Sequence, residues 1–186
     1  MELIESTIPG CYELKPLIRS DERGTFVKTF HAPSYLSLGL STDFVEEYYS
    51  ISNKNVIRGM HFQLPPYDHI KLVYCTSGIV MDAVIDLRKG SPTFKQYTLF
   101  ELSAKKANMI YIPKGLAHGF CVLSEQATMI YKVSTIYSPN SDSGIRWDSV
   151  DINWPTSAPI ISQRDQNFRS LKEFDSPFIF EGHDEF

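Results

Sequence analysis

The sequence predicts an all-β domain, either an antiparallel sandwich or a barrel. Short stretches rich in branched and aromatic residues alternate with turn residues along most of the chain, a pattern typical of such folds. Aromatic residues make up 13% of the 186 residues, and strands favour aromatic side chains. Because no internal repeat or linker divides the chain, we expect residues 1–186 to form a single domain with its own core.

Eight stretches are the clearest strand candidates because turn residues bound each of them. In chain order they are Thr25–Phe30, Phe44–Ile51, His69–Thr76, Ile79–Leu87, Gln96–Leu102, Met109–Ile112, Gly119–Leu123 and Ala127–Tyr137. One short helix is predicted from Pro33 to Leu38, with proline at its start and Gly39 just past its end. The polar tail from Glu181 to Phe186 is expected to fray.

Two of these strand candidates have faces of mixed polarity. Alternate residues of a strand share a face, so Asp82 and Asp86 lie on the same side as two valines. The face that begins with Tyr131 and ends with Tyr137 is mixed in the same way. Faces of this kind line the mouth of a small barrel that holds a ligand.

Composition excludes several classes of function. The net charge of −4 provides no basic field for nucleic acid, and no apolar run approaches the roughly 20 residues of a membrane helix. The first residues lack the basic and apolar pattern of a signal peptide. Cys11, Cys75 and Cys121 are too far apart for a disulfide framework or a zinc knuckle. A cytoplasmic location is therefore expected.

Two short runs carry the residues of a candidate active site. They are Arg58-Gly-Met-His61-Phe-Gln63 and Ile112-Pro-Lys-Gly-Leu-Ala-His118-Gly-Phe. Each brings a histidine to the end of a strand-like stretch, with a glycine close by that permits close backbone approach. Lys71 and several carboxylates lie nearby in sequence. This inventory suits an enzyme that moves a proton on and off carbon beside a carbonyl group, although both histidines could instead be structural.

The run Pro113-x-Gly-x-x-His118 resembles the second signature of the cupins, whose fold is a double-stranded β-helix, or jelly-roll barrel. With short peripheral helices, this is the fold class that we predict. Metal-binding cupins pair the run with an earlier His-x-His, but Gln63 replaces the second histidine here. Zinc on His61, His69 and His118 is an alternative. We predict no metal and no cofactor, because the spacing differs and Lys71 would add an unfavourable cation.

From about Ile8 to Asp165 the chain resembles the dTDP-4-dehydrorhamnose 3,5-epimerases, and the shared motifs fall in that family's order. The motifs are Arg58-Gly-Met-His-Phe-Gln, Lys71-Leu-Val, Gly78-Ile-Val-Met-Asp82-Ala-Val-Ile-Asp86-Leu-Arg88, Ser91-Pro-Thr-Phe94, Ile112-Pro-Lys-Gly-Leu-Ala-His118-Gly-Phe, Tyr131-Lys132 and Ile152-Asn-Trp154-Pro. The resemblance implies an isomerase that inverts C3, C5 or both of a nucleotide-diphosphate-linked 4-keto-6-deoxysugar. Such an enzyme serves the synthesis of surface polysaccharides such as O-antigen.

The resemblance also implies a role for each matching residue. His61 matches the catalytic base, and Asp165 matches the carboxylate that orients it through Nδ1, which would leave Nε2 as the base. Lys71 matches the cation that stabilises the enolate oxygen. Tyr131 matches the acid on the opposite face of the enolate, and Tyr137 is its rival for that role.

The predicted substrate-binding residues are Arg23, Lys28, Glu46, Tyr48, Arg58, Gln63, Asp82, His118 and Tyr137. Among them Arg23, Arg58 and His118 resemble the residues that hold the diphosphate. In the family this arginine comes from the partner subunit, which implies a homodimer. Asp82 is expected to support Lys71 or His118, or else to be structural.

The nucleotide end departs from the family. Lys28 stands where the family usually has glutamate, and Glu46 and Tyr48 replace glutamine and asparagine. Lysine only donates hydrogen bonds, so it cannot accept from the N3–H of thymine. Cytosine offers an acceptor at N3 and an amine at C4, which Lys28 and Glu46 would match. The hypothesis is a CDP-linked sugar, and the alternative is a surface Lys28 with an ordinary dTDP substrate.

Three further alternatives remain open. His69 is predicted to cap the turn after Pro65-Pro66, with contact to the sugar as the other possibility. The fold could support ketoisomerisation of a 4-keto sugar instead of epimerisation. A non-catalytic sugar-binding cupin is the third alternative, although binding alone does not require a base with an orienting carboxylate.

Overall fold

A computed structural model describes residues 1–182 of the chain. The strands of this part are β1 (Glu2–Glu5), β2 (Tyr12–Lys15), β3 (Ile18–Asp21), β4 (Gly24–Val27), β5 (Glu46–Asn53), β6 (Ile57–Gln63), β7 (Lys71–Ser77), β8 (Ile79–Asp86), β9 (Tyr97–Ser103), β10 (Met109–Ile112), β11 (Leu116–Val122), β12 (Gln126–Val133) and β13 (Asp142–Gly144). Its helices are α1 (Ala32–Leu36), α2 (Gln163–Gln166) and a 3-10 turn (Trp147–Ser149). The frayed tail predicted to end at Phe186 lies mostly outside the described residues.

Two antiparallel sheets face each other and form the barrel. The first has the order β1-β2-β10-β7-β12-β5, and the second has the order β13-β6-β11-β8-β9. Most neighbours within a sheet are not consecutive in the chain, so the chain repeatedly crosses from one sheet to the other. The prediction of an all-β, cupin-type barrel with short peripheral helices is confirmed.

The core is divided into three layers by the two sheets. The interior layer takes residues such as Val73 and Phe120 from both sheets. Trp154 and Phe178, from the C-terminal segment, cover the outer face of the five-stranded sheet. Tyr35 of α1 packs on the outer face of the six-stranded sheet. Each sheet therefore buries apolar residues on both of its faces.

The eight strand candidates correspond to β4, β5 and β7 to β12. Two predicted strands extend too far. Strand β4 ends at Val27 instead of Phe30, and β12 ends at Val133, so Tyr137 lies in the loop beyond it. Strand β12 ends early because its next residues form hydrogen bonds with a distant part of the chain. Ser134 Oγ accepts a hydrogen bond from the Ile70 amide, and Thr135 Oγ1 donates to the Tyr67 carbonyl. These bonds to the loop before β7 replace the strand ladder.

His61 and His118 lie within strands, so the prediction that each ends a strand is wrong. Strand β6 extends to Gln63 because β13 pairs with its last residues, and Gly144 lies opposite His61. His61 and His118 face each other in the β6–β11 pairing. The two strands approach so closely that a Cβ on Gly59 would lie 2.6 Å from Gly119 Cα. The predicted close backbone approach at these glycines is confirmed.

Strands β3 and β4 form a separate hairpin that pairs with neither sheet. Its apolar side chains are largely exposed, including Phe26 at 61% and Ile18 at 40%. None of the helices among residues 1–182 has the length and apolar character that a membrane crossing requires.

Candidate active site

A cavity of about 430 Å³ opens between the two sheets, and predicted site residues form much of its wall. Nine of the thirteen predicted residues line it, namely Glu46, Tyr48, Arg58, His61, Gln63, Lys71, His118, Tyr131 and Tyr137. Asp165 and Asp82 lie directly behind the wall, bonded to His61 and His118 respectively. Arg23 and Lys28 are on or next to the β3–β4 hairpin and do not line this cavity.

His61 and Asp165 form a hydrogen-bonded pair at the wall of the cavity. Strand β6 carries His61, and helix α2 carries Asp165, whose amide donates to the capping Ser162 hydroxyl. The Asp165 carboxylate is buried, with Oδ2 accepting from the Gly59 amide at 3.2 Å. Its Oδ1 lies 2.9 Å from His61 Nε2. The pairing is as predicted, but the carboxylate contacts Nε2 instead of Nδ1, so the predicted assignment of Nε2 as the base is wrong.

The surroundings of this pair favour a neutral imidazole beside an ionised carboxylate. Burial lowers the pKa of His61 below its ordinary value, and Asp165 offsets only part of that effect. Burial alone would raise the pKa of Asp165, but hydrogen bonds from His61, Gly59 and Arg164 lower it to about 2. Near neutral pH the ring therefore has a lone pair available to accept a proton.

Lys71 supplies a buried cation to the same cavity. It begins β7, is 6% exposed, and its Nζ donates to the His61 carbonyl at 3.2 Å. Burial lowers the pKa of Lys71 to about 8, although Asp142 and Asp82 raise it. The side chain is still mostly an ammonium at pH 7, so it can stabilise negative charge that develops on a bound carbonyl oxygen.

His118 is held by Asp82, which was predicted to support Lys71 or His118 or else to be structural. His118 Nε2 lies 2.8 Å from Asp82 Oδ2, and both side chains are almost completely buried. Burial raises the pKa of Asp82, and His118 counteracts that rise. Of the groups that Asp82 was predicted to support, His118 is the one it contacts directly.

The two candidate acids differ in their environments. Tyr131 is buried, stacks on Tyr48 at 4.8 Å between ring centroids, and lies 3.3 Å from the Ser50 hydroxyl. Burial raises the pKa of Tyr131 above its ordinary range and raises that of Tyr48 to about 12. Tyr137 is 56% exposed, and its hydroxyl donates to Asp142 at 3.4 Å. Tyr131 is therefore the phenol enclosed with His61 and Lys71.

Other predicted binding residues are partly occupied by contacts within the chain. Gln63 Oε1 accepts from the Ser138 amide at 2.6 Å, and its Nε2 donates to the Tyr67 carbonyl at 2.8 Å. Arg58 Nε donates to the Ser52 hydroxyl at 2.9 Å. Glu46 lines the cavity, and its Oε2 accepts from the Tyr137 amide.

His69 lines the cavity, which differs from its predicted role as a turn cap. Its Nδ1 lies 3.3 Å from both Gln63 Nε2 and Thr135 Oγ1, so its partners are side chains and not the turn backbone. Burial and the nearby Lys71 lower the pKa of His69 to about 3. His69 is therefore a neutral member of the cavity wall.

Sequence reasoning missed Arg164 and Asp142, both of which line the cavity. Arg164 Nη2 lies 2.8 Å from His61 Nε2, and Nη1 donates to Asp142 Oδ2 at 2.7 Å. Arg164 immediately precedes Asp165 in the sequence, so the match at Asp165 could have drawn attention to it. Asp142 carried no comparable signal, because its place depends on the pairing of the short β13 with β6.

Within residues 1–182, His, Cys, Asp and Glu side chains form no group of three or more that could hold a metal ion. The alternative zinc set of His61, His69 and His118 is therefore not assembled. That the enzyme works without a metal or cofactor stays a prediction.

Known proteins resemble this chain over most of its length. Residues 5–173 match the profile of the dTDP-4-dehydrorhamnose 3,5-epimerase family. The dTDP-4-dehydrorhamnose 3,5-epimerase of Shigella flexneri is 39% identical over 94% of this chain and 98% of its own length. The enzyme of that name from Escherichia coli K12 is 40% identical over 93% and 96%.

Solved structures agree with the sequence comparison. The dTDP-4-dehydrorhamnose 3,5-epimerase of Bacillus anthracis Ames, with TDP and pyrophosphate bound, superposes with a TM-score of 0.89 at 37% identity, over 91% of this chain and 99% of its own. The dTDP-6-deoxy-D-glucose-3,5-epimerase of Legionella pneumophila, in complex with dTDP-4-keto-L-rhamnose, gives a TM-score of 0.90 at 36% identity, over 94% of each chain.

These matches cover the barrel and the elements that carry His61, Lys71, Tyr131 and Asp165. They favour epimerisation over the ketoisomerase and the non-catalytic alternatives. The chain therefore belongs to the dTDP-4-dehydrorhamnose 3,5-epimerase family and is an isomerase that acts as a carbohydrate epimerase.

Proposed function

We propose that this enzyme inverts C3, C5 or both of a nucleotide-diphosphate-linked 4-keto-6-deoxysugar. The observation that carries the proposal is the neutral His61 imidazole, paired with the buried Asp165 in the same cavity as the Lys71 ammonium and the Tyr131 phenol. A base, a cation and an acid in one enclosed site are what proton exchange next to a ketone requires.

The chemistry assigns one step to each group. His61 removes the proton from the carbon next to the C4 ketone, and the electrons move onto the ketone oxygen to give an enolate. Lys71 stabilises that oxygen as negative charge develops. Tyr131 then donates a proton to the opposite face of the same carbon, which inverts the centre. The Tyr131 phenolate and the His61 imidazolium return to their starting states by proton exchange with water.

Replacing Tyr131 by phenylalanine should separate proton exchange from inversion. His61 can still remove the proton and return one to the same face, so deuterium from D2O should enter the substrate without inversion. The rate of inversion should fall by about 100-fold or more, because an acid catalyst is lost. Proton NMR of the sugar in D2O measures both quantities.

Tyr137→Phe is the matched control, because it removes a phenol that lines the same cavity but is 56% exposed. This variant should retain inversion. If Tyr137→Phe loses inversion and Tyr131→Phe keeps it, the roles of the two tyrosines are reversed.

The nucleotide is proposed to be thymidine diphosphate, because the relatives compared above carry dTDP in their names. The CDP alternative retains one supporting observation, the Glu46 carboxylate in the cavity wall, because a carboxylate accepts hydrogen bonds such as that from the amine of cytosine. Incubating the enzyme with matched dTDP- and CDP-linked 4-keto-6-deoxysugars tests the choice. A clear preference for the CDP-linked sugar would show that the nucleotide site binds cytidine. No hydrogen exchange with either substrate would overturn the proposed function.

The enzyme is further proposed to act as a homodimer whose nucleotide site includes Arg23 and Lys28 of the partner subunit. The β3–β4 hairpin supports this assignment, because its apolar residues are exposed and it pairs with neither sheet. Arg23 is 86% exposed and bonds only to its neighbour Asp21 among the described residues. Exposed Tyr49 and Ile51 on the edge strand β5 offer additional apolar surface.

A heterodimer of His61→Ala and Arg23→Ala subunits tests the shared site. If Arg23 acts across the interface, one site of this heterodimer carries both changes and the other carries neither. Two differently tagged, co-expressed chains should therefore give a purified heterodimer with about half the wild-type activity, although each homodimer is nearly inactive. An inactive heterodimer would mean that each Arg23 serves the site of its own chain.

A single domain over residues 1–186 and a cytoplasmic location complete the proposal. The three core layers share the same two sheets, which supports one domain. Cys11, Cys75 and Cys121 are free and buried, the usual state of thiols in a reducing compartment.

A further inference from the structure

Arg164 contacts both members of the His61–Asp165 pair. Its Nη2 lies 2.8 Å from His61 Nε2, and its Nε donates to Asp165 Oδ1 at 3.1 Å. A third contact, from Nη1 to Asp142 Oδ2 at 2.7 Å, anchors the guanidinium to strand β13. The guanidinium lies over the ring of Phe168, with 5.6 Å between its carbon and the ring centroid. The Arg164 guanidinium is therefore held next to His61 by contacts on several sides.

Arg164 and Asp165 require opposite protonation states of the same ring nitrogen, Nε2 of His61. A guanidinium only donates hydrogen bonds, and an ionised carboxylate only accepts them. Nε2 of His61 carries either a hydrogen, which Asp165 can accept, or a lone pair, to which Arg164 can donate. The distances of 2.9 Å and 2.8 Å place both partners within reach, but one nitrogen can satisfy only one of them.

The two states differ in what the imidazole can do. With hydrogen on Nε2, the ring donates to Asp165 and Nδ1 has a free lone pair that can accept a proton. With Arg164 donating to Nε2, the hydrogen is on Nδ1, and that nitrogen cannot act as a base. Once His61 has taken a proton, the guanidinium and the imidazolium repel each other, which favours release of the proton.

The charged and titratable groups around His61 come from four elements. Helix α2 contributes Asp165 and Arg164, and β7 contributes Lys71, whose ammonium binds the His61 carbonyl. Strand β11 places His118 opposite His61 in the ladder, and β13 contributes Asp142 through its bond to Arg164. Asp165 favours the protonated ring, whereas Arg164 and Lys71 disfavour it. Arg164 is the cation that touches the ring itself.

We propose that Arg164 is a positioning residue for the catalytic base, because its guanidinium competes with Asp165 for His61 Nε2 and so controls how firmly the ring holds a proton. This inference rests on the proposed role of His61 as the base. Arg164 needs no contact with substrate to act in this way.

The test is a pH titration of the His61 ring in the substrate-free protein, followed by NMR of isotopically labelled histidine. In Arg164→Gln the pKa of His61 should rise by about one unit, because a cation next to the ring is removed. In Arg164→Lys the rise should be smaller, since the charge is kept but the three-way contact is lost. The side chain of Arg164 is 51% exposed, so we expect both variants to fold.

Arg146→Gln is the matched control. Arg146 is a partly exposed arginine that pairs with Asp148 and does not line the cavity, so its loss should leave the titration of His61 unchanged. An unchanged His61 pKa in folded Arg164→Gln, or an equal shift in Arg146→Gln, would overturn the proposal. The titration needs no substrate, so its outcome is separate from that of the proposed function, which is overturned if the wild-type enzyme exchanges no sugar hydrogen.

Discussion

Replacing His61 with alanine is expected to slow the exchange of sugar hydrogens with D2O by about 100- to 10,000-fold, the usual contribution of a general base. The imidazole is the neutral acceptor in the cavity, and its partner Asp165 is buried and ionised. Alanine cannot accept a proton, and other possible acceptors in the cavity are weaker or already bonded. The pKa of His69 is lowered to about 3, and the carboxylates of Glu46 and Asp142 accept hydrogen bonds from the Tyr137 amide and from Arg164. Proton NMR of the C3 and C5 signals in D2O gives the exchange rate directly.

A control for this variant is His31→Ala, which removes an exposed histidine that bonds to Ser34 outside the cavity. Its exchange rate should match the wild type. Exchange at the wild-type rate in His61→Ala, with the fold confirmed by circular dichroism, would show that another group is the base.

Replacing Lys71 with methionine is expected to lower kcat by about 100- to 1,000-fold, with a smaller change in KM. The ammonium is 6% exposed, so its charge acts on the enolate oxygen with little screening by water. Methionine has a similar length and keeps the packing of β7, but it carries no charge to stabilise the enolate. Steady-state kinetics with a 4-keto-6-deoxysugar nucleotide measures both constants.

The pH profile provides a second check on Lys71. The active form is the ammonium, and the pKa of Lys71 is lowered to about 8 by burial. Wild-type activity should therefore decline as the pH rises through about 8, and this decline should be absent from the residual activity of Lys71→Met. Lys114→Met is the matched control, because Lys114 is half exposed and does not line the active-site cavity. Full kcat in Lys71→Met would contradict the assignment.

Local sequence pattern predicted most of the barrel strands but not their ends, and it did not predict β1, β2, β6 or β13. Branched and aromatic runs between turn residues identified β7 to β12, because burial on a pleated surface selects those residue types. The end of β12 could not be predicted, since it depends on bonds from Ser134 and Thr135 to a loop some 65 residues earlier. The short β13 was missed because its three polar and small residues carry no strand signal.

The candidate site could be predicted only in part, and for a related reason. His61 and Asp165 are over 100 residues apart, so their contact came from family resemblance and not from spacing. The predicted contact through Nδ1 was wrong, because the ring nitrogen that faces the carboxylate depends on how α2 and β6 pack together, which spacing does not give. Arg23 and Lys28 do not line the cavity, so no contact among the described residues tests their predicted roles.

The isotope content of the inverted product tests the two-face proton transfer most directly. Wild-type enzyme is incubated in D2O with the 4-keto-6-deoxysugar nucleotide, and the product is examined by NMR and mass spectrometry. Because the acid that reprotonates the enolate exchanges with solvent, every inverted carbon should carry deuterium. Inversion that retains the original hydrogen would contradict removal of the proton by His61 and its replacement from the opposite face.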